Sequence, residues 1–487
     1  MVDTQLSGPV RVRFAPSPTG YLHVGGARTA IYNDLLRQRL GGALILRIED
    51  TDRERSDAAM TRQIVAALEW IGIPFDEGPH LQSERLARHR ERAEELIAAG
   101  RAYRCFCTPD ELEPLRRQAE SAGRTFRYPR TCLHSPPEEA DAKRAAGTPF
   151  VVRLAMPDEA IRFTDLVRGE MEFAADVLDD FILLRSDGSP TYHLSVVVDD
   201  VDMGVTCVLR GEDHLSNTPK HVALFRALGA EPPRFGHLPL ILGPDKKRLS
   251  KRTGATSVEE FRAQGVLPQA LYNYLALLGW YPGEDVEILT REEMIGRFSV
   301  AGLNASAAVF DRDKLAWMNA KYLSTLPLDA VWPHLEPFLA AHGLAGDGVA
   351  VDRERLRTAV ELHRPRAADL AELAAQVVPY FRQRIDYDPE LAGKYRDDPE
   401  LPARLAALRE RYAAARPFAV EPLETALRGL AEAEGVKAAY LIHPLRMAVS
   451  GEKAGPPVFD LVAVTGREAS LGRLDDFVRW LSTGREE

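Results

Sequence analysis

Arg11-Val-Arg-Phe-Ala-Pro-Ser-Pro-Thr-Gly-Tyr-Leu-His-Val-Gly-Gly-Ala-Arg28 is the stretch that decides the fold of this chain. It opens on a β-type run over 10–14, breaks at Pro16 and Pro18, turns at Gly20 and takes up a helical pattern from Leu22 or His23. A strand that passes through a Gly/Pro loop into a helix sets backbone N–H groups and the helix dipole at the carboxyl edge of a sheet. That arrangement suits a phosphate or a nucleotide. Gly25 and Gly26 leave room for a flat base or a phosphate, and His23 can donate to a phosphate oxygen that gains charge in a transition state. The run is neither a Walker loop nor a G-x-G-x-x-G fingerprint. Taken alone, it also fits a tight strand-to-helix turn whose glycines serve packing.

Outward from this stretch, further β-type runs fall at 43–48, 150–154, 181–184, 205–209 and 238–242, with helical patterns between them. Such alternation predicts an α/β domain with a mainly parallel sheet. Beyond residue 325 the apolar residues recur at helical spacing, as in 367–378 and 401–415, which predicts a bundle-like all-α region. Pro327, Pro333 and Pro337 mark the expected joint, and 417–422 an expected split of the helical half. The chain has 487 residues, 45% of them apolar and 28% charged, which excludes a disordered protein and implies several domains. Four cysteines exclude a disulfide scaffold, and no apolar run reaches membrane-spanning length. A multidomain cytoplasmic enzyme is expected. The net charge of −10 leans away from a protein that coats nucleic acid through bulk charge, without excluding a local basic surface.

Two other segments carry chemistry. Gly243–Gly254 holds Lys246, Lys247, Arg248, Lys251 and Arg252 around Leu249 and Ser250, with Asp245 as its only acid. It reads as a basic loop able to close over a polyphosphate, a lysine acting as a point charge on leaving pyrophosphate. The alternative is a solvated basic loop. Cys105-Phe-Cys107 and Cys132-Leu-His134 can supply four ligands to a tetrahedral zinc ion, with Tyr128 as a substitute for His134. Cys207 sits alone in an apolar strand and is expected in the core.

The strand–loop–helix with His23-Val-Gly-Gly, followed more than 200 residues later by Arg248-Leu-Ser-Lys-Arg, resembles the paired signatures of class I aminoacyl-tRNA synthetases. Phe14 to His23, Arg47-Ile-Glu-Asp-Thr-Asp, Tyr192-His-Leu with Val198-Asp-Asp, and Leu209-Arg-Gly-Glu-Asp-His are similar to the bacterial glutamyl members. The resemblance implies a Rossmann-like catalytic domain (1–100 and 190–250), an acceptor-end insertion with a zinc site (101–189), a stem-contact connector (251–325) and a helical anticodon-binding region (326–487). It implies glutamate–tRNA ligase activity: ATP with Mg2+ activates L-glutamate to the adenylate, and the glutamyl group passes to the 3′ end of tRNA-Glu. A monomer is expected. By resemblance, Arg13 and Arg210 grip substrate carboxylates and Glu49 holds the α-amino group. Ala15, Ser17 and Tyr192 complete that pocket. ATP falls to His23, Gly25, Gly26, Asp213, Arg248, Leu249, Ser250, Lys251 and Arg252. His23 and Lys251 stabilise the transition state.

Three departures bear on this. Gly26 stands where the general signature has a second histidine, Arg248 where it has a lysine, and Val196 where some relatives carry a polar pocket residue. The helical half is slightly acidic, with 21 Lys+Arg against 25 Asp+Glu over 331–487, so RNA recognition there must rest on local geometry. Arg364 and Arg366, in His363-Arg-Pro-Arg366, resemble the anticodon-reading segment. In 315–322, which resembles the connector that contacts the inner tRNA bend, the apolar members are expected in the core. The rivals are a glutaminyl-specific relative, which normally carries β-barrel anticodon domains, and a truncated tRNA-modifying relative, which lacks the helical half. A small-molecule nucleotidyltransferase of the same nucleotide fold is a third.

Overall fold

The computed structural model describes residues 6, 8–51, 57–123, 126–249, 256–346 and 348–483. The chain divides into two compact units, Met1–Phe261 with Leu271–Arg312, and Arg262–Ala270 with Asp313–Glu487.

In the first unit, β1 (Val10–Phe14) pairs in parallel with β2 (Gly42–Ile48), and β2 with β3 (Glu77–Leu81). Val10 faces Gly42 in the β1–β2 register. Gly42 has φ +148°, and a Cβ there would lie 1.9 Å from the Val10 carbonyl oxygen, so only glycine fits. Helix α1 (Val24–Leu40) crosses between β1 and β2, and Leu35, Leu36, Ile31 and even Asn33 and Asp34 on it are buried. On the other side, β4 (Ile161–Asp165) and β5 (Gly169–Phe173) form a hairpin. β6 (Cys207–Gly211) and β7 (Arg234–Leu238) run parallel, and β7 pairs with β4. The Thr206 N–H donates to the Arg11 carbonyl at 2.9 Å, setting the start of β6 beside β1. The order therefore reverses between β1 and β6, and ligands of open α/β sheets bind at the carboxyl ends of such a pair.

A separate antiparallel sheet, Ala102–Cys105, Val151–Leu154 and Ile182–Leu184, lies within the expected insertion. One apolar cluster includes Leu96, Val152, Leu183, Leu194, Val208 and Phe225, so insertion and parallel sheet share a core. Cys207 on β6 is fully buried.

One strand reading changes. The run 238–242 is not one strand: β7 ends at Leu238, and Ile241–Leu242 pairs elsewhere, with Ala308–Val309. Pro239 has no N–H for a ladder, and the next amide, Leu240, donates to Glu212 Oε1 at 2.8 Å. β3, with the sequence Glu-Gly-Pro-His-Leu, and the β4–β5 hairpin carry no strand pattern that was legible beforehand.

The second unit is helical, as expected. Leu370–Val377 starts on the Asp369 side-chain cap, and Leu401–Ala414 buries Leu401, Leu405, Leu408 and Tyr412 on one stripe. Pro327 caps Leu328–Ala341, but Pro333 and Pro337 lie inside that helix rather than at joints. Its apolar face, with Val331, Leu335 and Leu339 fully buried, outweighs the two lost backbone bonds. The expected split near 417 is also absent, because Leu405, Leu408 and Tyr412 share one core with Leu423, Leu427 and Leu441. On Arg312–Thr325, Met318 is buried and Trp317 is exposed. Asn319 is also buried, its Oδ1 accepting from Leu267 N–H at 2.8 Å. Among the described residues, no helix is long and apolar enough to cross a membrane.

Candidate active site

A cleft of about 310 Å³ opens at the carboxyl ends of β1, β6 and β7. Arg13, Ala15, His23, Gly25, Gly26, Glu49, Tyr192, Arg210, Asp213, Arg248 and Leu249 all line it. Ser17 does not; it is exposed, and its carbonyl closes a turn with the Thr19 N–H. Ser250, Lys251 and Arg252 lie outside the described residues. Val196 is in the core and does not line the cleft.

The chain brings these side chains together by simple local means. β1 ends in the proline loop, whose Pro16 carbonyl accepts from the Glu49 N–H at 3.0 Å, so β2 delivers Glu49 to the same wall. His23 is the N-cap of α1, and its Nδ1 accepts from the Gly25 N–H at 3.1 Å. Desolvation, and then the charge of Arg248, lower the His23 pKa against the pull of Glu260. A neutral imidazole that accepts at Nδ1 carries its proton on Nε2, so His23 presents a donor. A Cβ on Gly26 would meet Leu22 Cδ1 at 3.1 Å, so glycine there serves close packing as well as the cleft. Arg28, which the sequence reading passed over, is buried and ties α1 to the far wall by donating to the Pro239 and Leu278 carbonyls.

Charge is arranged in a buried chain. Asp200 accepts from Arg47 Nη1 at 2.6 Å and stands 3.4 Å from Arg13 Nε. Arg47 Nη2 lies 3.4 Å from Glu49 Oε1. Among the described residues, the two terminal nitrogens of Arg13 have no hydrogen-bond partner, and Arg13 lines the cleft. Burial raises the Glu49 pKa, and Arg47 and Arg13 pull it back down. Arg210 is more fully engaged. Nε donates to His237 Nε2 at 3.2 Å, and Nη2 to Thr218 Oγ1 at 2.9 Å and the His214 carbonyl at 3.3 Å. Nη1 reaches His221 Nδ1 at 3.3 Å and the Tyr192 hydroxyl at 3.4 Å. The Tyr192 contact is the longest and lies at the cleft, so it is the one a carboxylate can replace. Burial pushes the pKa of His193 and of His214 down to about 4, and Lys220 and Arg210 for the first, Arg210 for the second, add to the fall. The histidine shell around Arg210 came from segments with no shared motif and was missed. Only Leu209-Arg-Gly-Glu-Asp-His hinted at it.

The basic loop is visible through its flanks. The Leu249 N–H donates to the Ile241 carbonyl at 3.1 Å, and the Thr256 carbonyl accepts from the Val24 N–H at 2.9 Å. The Thr256 flank thus meets the start of α1 beside His23, and the Leu249 flank is held on Ile241.

Away from the cleft, the Sγ atoms of Cys105, Cys107 and Cys132 lie within 4.8 Å of one another, with Cys107 and Cys132 3.7 Å apart. Zn–S bonds of about 2.3 Å in a tetrahedron require sulfur separations of about 3.8 Å, so the triad fits zinc. His134 is not in the group. The fourth position is faced by the Tyr128 hydroxyl, 3.4 Å from Cys107 Sγ, which favours the substitute ligand over the one first named. Among the described residues, the apolar cluster under this segment has four buried members, Tyr103, Cys105, Leu112 and Tyr128. In the helical unit, Arg364 donates to the Leu326 carbonyl and pairs with Glu361 at 2.9 Å, whereas Arg366 is exposed. The two arginines are therefore not equivalent.

Residues 9–317 match the family described as tRNA synthetases class I (E and Q), catalytic domain, and residues 330–478 match an anticodon binding domain. The chain belongs to the class I tRNA synthetases of the E and Q group. Glutamate–tRNA ligase 2 of Koribacter versatilis is 47% identical over 475 residues, covering 97% of this chain and 98% of the relative. The glutamate–tRNA ligase of Moorella thermoacetica is 42% identical, covering 97% and 98%. A crystal structure of a glutamate tRNA ligase from Elizabethkingia meningosepticum, in complex with its amino acid, matches with a TM-score of 0.86 at 34% identity, covering 97% of this chain and all of that one. Within its class, the chain is a member of the bacterial glutamate–tRNA ligases.

Proposed function

We propose that this cleft joins L-glutamate to ATP and passes the glutamyl group to tRNA-Glu. A carboxylate oxygen of glutamate attacks the α-phosphate, the bond to the β-phosphate oxygen breaks, and pyrophosphate leaves. A hydroxyl of the terminal ribose then attacks the glutamyl carbonyl and AMP leaves. The observation that carries this reading is Arg13, a buried guanidinium that lines the cleft and whose Nε stands 3.4 Å from Asp200. A planar fork so placed matches a carboxylate. Glu49, among arginines on the same wall, takes the ammonium group, and Tyr192 and Arg210 take the second carboxylate. His23 offers Nε2–H to the phosphate, and Lys251, with Ser250 and Arg252 of the basic segment, supplies charge to the leaving pyrophosphate. Magnesium accompanies the ATP, with Asp213 on the cleft wall. No side chain is needed as a nucleophile, so rate comes from positioning and from cations placed where charge develops.

The same reading assigns a structural zinc ion to Cys105, Cys107 and Cys132 with Tyr128, tying down a segment with little core of its own. It assigns an anticodon contact to exposed Arg366, and a cytoplasmic monomer. Glutamate-dependent ATP–pyrophosphate exchange, run with and without tRNA-Glu, tests the function. Exchange that needs both glutamate and tRNA is expected. Exchange driven by glutamine, or none even with tRNA, overturns the reading.

A further inference from the structure

Arg210 is enclosed by five residues that touch it, Tyr192, His214, Thr218, His221 and His237, and a sixth acts on it only through one of these. Asp165, at the end of β4, is fully buried, and its two oxygens have separate duties. Oδ1 accepts the backbone N–H groups of Val167 at 3.0 Å, Arg168 at 3.0 Å and His237 at 3.3 Å. Oδ2 accepts from His237 Nδ1 at 2.5 Å. With its proton held on Nδ1, the His237 ring turns the bare lone pair of Nε2 to the Arg210 Nε–H, 3.2 Å away. Thr218 Oγ1 also stands 2.9 Å from that Nε2. It takes an N–H from Arg210 Nη2, and its own hydrogen goes to that Nε2, which accepts from both groups, with the His214 carbonyl at 3.3 Å as a second acceptor. On the opposite side His221 accepts from Arg210 at Nδ1, so its Nε2–H donates to His193 Nδ1 at 3.1 Å. Two imidazoles therefore serve as acceptors for one guanidinium, which requires both to be in a particular tautomer.

We propose that Asp165 is a positioning residue for substrate binding: it sets the tautomer of His237 and so fixes the Arg210 guanidinium at the cleft. The proposal deepens the reading of Arg210 as a carboxylate-binding group and rests on it. The separation of duties at Asp165 makes it testable by a single amide. In Asp165→Asn the one remaining carbonyl oxygen is claimed by the three backbone N–H groups, since an amide nitrogen cannot accept them. The NH2 then faces His237 Nδ1, which has to become the acceptor, and the ring proton moves to Nε2. An amide in place of a carboxylate beside an imidazole selects the other tautomer in this way. The altered ring can still donate to Thr218 Oγ1. Arg210 Nε–H is left facing another donor, without an acceptor, at a buried site, and the guanidinium must turn away.

The expected result for Asp165→Asn is a glutamate KM raised on the order of tenfold, with the ATP KM within about twofold of the parent. In 15N spectra of histidine-labelled protein, one ring should exchange its protonated nitrogen from Nδ1 to Nε2, that ring being identified by its loss in His237→Phe. The double variant Asp165→Asn/His237→Phe should be no worse for glutamate than His237→Phe alone, because the first residue acts through the second. An unchanged tautomer, an unchanged glutamate KM in a folded Asp165→Asn, or additive effects in the double variant would each overturn the proposal. Should Asp165→Asn fail to fold, His237→Gln carries the same test, since its amide oxygen can stand in for Nε2. A glutamate KM raised in His237→Phe and restored in His237→Gln supports the proposal, and equal values in the two sink it. A parent enzyme that shows no glutamylation would instead defeat the functional reading, with the tautomer measurement still standing.

Discussion

Asp200→Ala is expected to destabilise the unit that carries the cleft by about 3–5 kcal/mol, the range for removing one partner of a buried ion pair. Asp200 is 2% exposed at its side chain, and its partners Arg47 and Arg13 are 0% and 5% exposed. Burial opposes the charge on Arg47, and Asp200, Glu49 and Asp199 more than restore it. Without Asp200, the nearest carboxylate is Glu49 at 3.4 Å, which burial already pushes toward its neutral form. Two guanidinium groups would then share one reluctant partner in a dry site. Urea unfolding at pH 7 measures the loss by linear extrapolation, at an unchanged slope. Because the penalty is an uncompensated charge rather than a lost contact, Arg47→Met combined with Asp200→Asn should recover part of it. A loss below about 1 kcal/mol in Asp200→Ala would refute this accounting. So would a double variant worse than the two single changes added together.

Three further outcomes are expected. Stability should fall as pH drops from about 6.5 toward 4, because His193 and His214, each held down to about 4, refuse protons that the unfolded chain binds at its ordinary pKa near 6.5. Their stabilisation is present above that unfolded value and lost as pH falls through the folded one. His193→Gln should flatten the urea midpoint over this window, and an unaltered profile would show that other groups govern it. Metal analysis should find about one zinc per chain in the parent, none in Cys132→Ala and an undiminished amount in His134→Ala. Loss in His134→Ala would restore that residue as the fourth ligand. In the helical unit, Arg366→Ala should raise the KM for tRNA-Glu without moving the melting temperature. Arg364→Ala should lower the melting temperature, since its guanidinium holds the Leu326 carbonyl and Glu361. Equal effects of the two on tRNA binding would contradict the difference.

Legibility in the sequence followed the range over which each signal acts. The β1–loop–α1 unit was readable because alternation, proline breaks and a helix start are local properties, and His23 proved to be the N-cap itself. Strand β3 was not, because Glu-Gly-Pro-His-Leu has no pattern of its own and is mostly exposed; its extended form comes from pairing with β2. Pro333 and Pro337 misled for the converse reason. A buried face on the whole helix overrode two local breakers. The cysteine spacing pointed to a metal cluster, but choosing between Tyr128 and His134 required knowing which side chain turns inward.

By itself, then, the sequence determined the alternation of strands and helices, the strand-to-helix turn at 14–24, the identity of the charged groups and the family they point to. All of these are written in neighbouring residues. Tertiary structure decided how those groups are used: that the terminal nitrogens of Arg13 have no partner among the described residues while Arg210 has five, that Asp200 lies between two arginines, and that Arg364 is engaged while Arg366 is exposed. The physical reason is that the availability of a buried charge depends on which partners reach it within about 3 Å. Partners such as Asp165, Asp200 and His237 arrive from elements that only folding brings together.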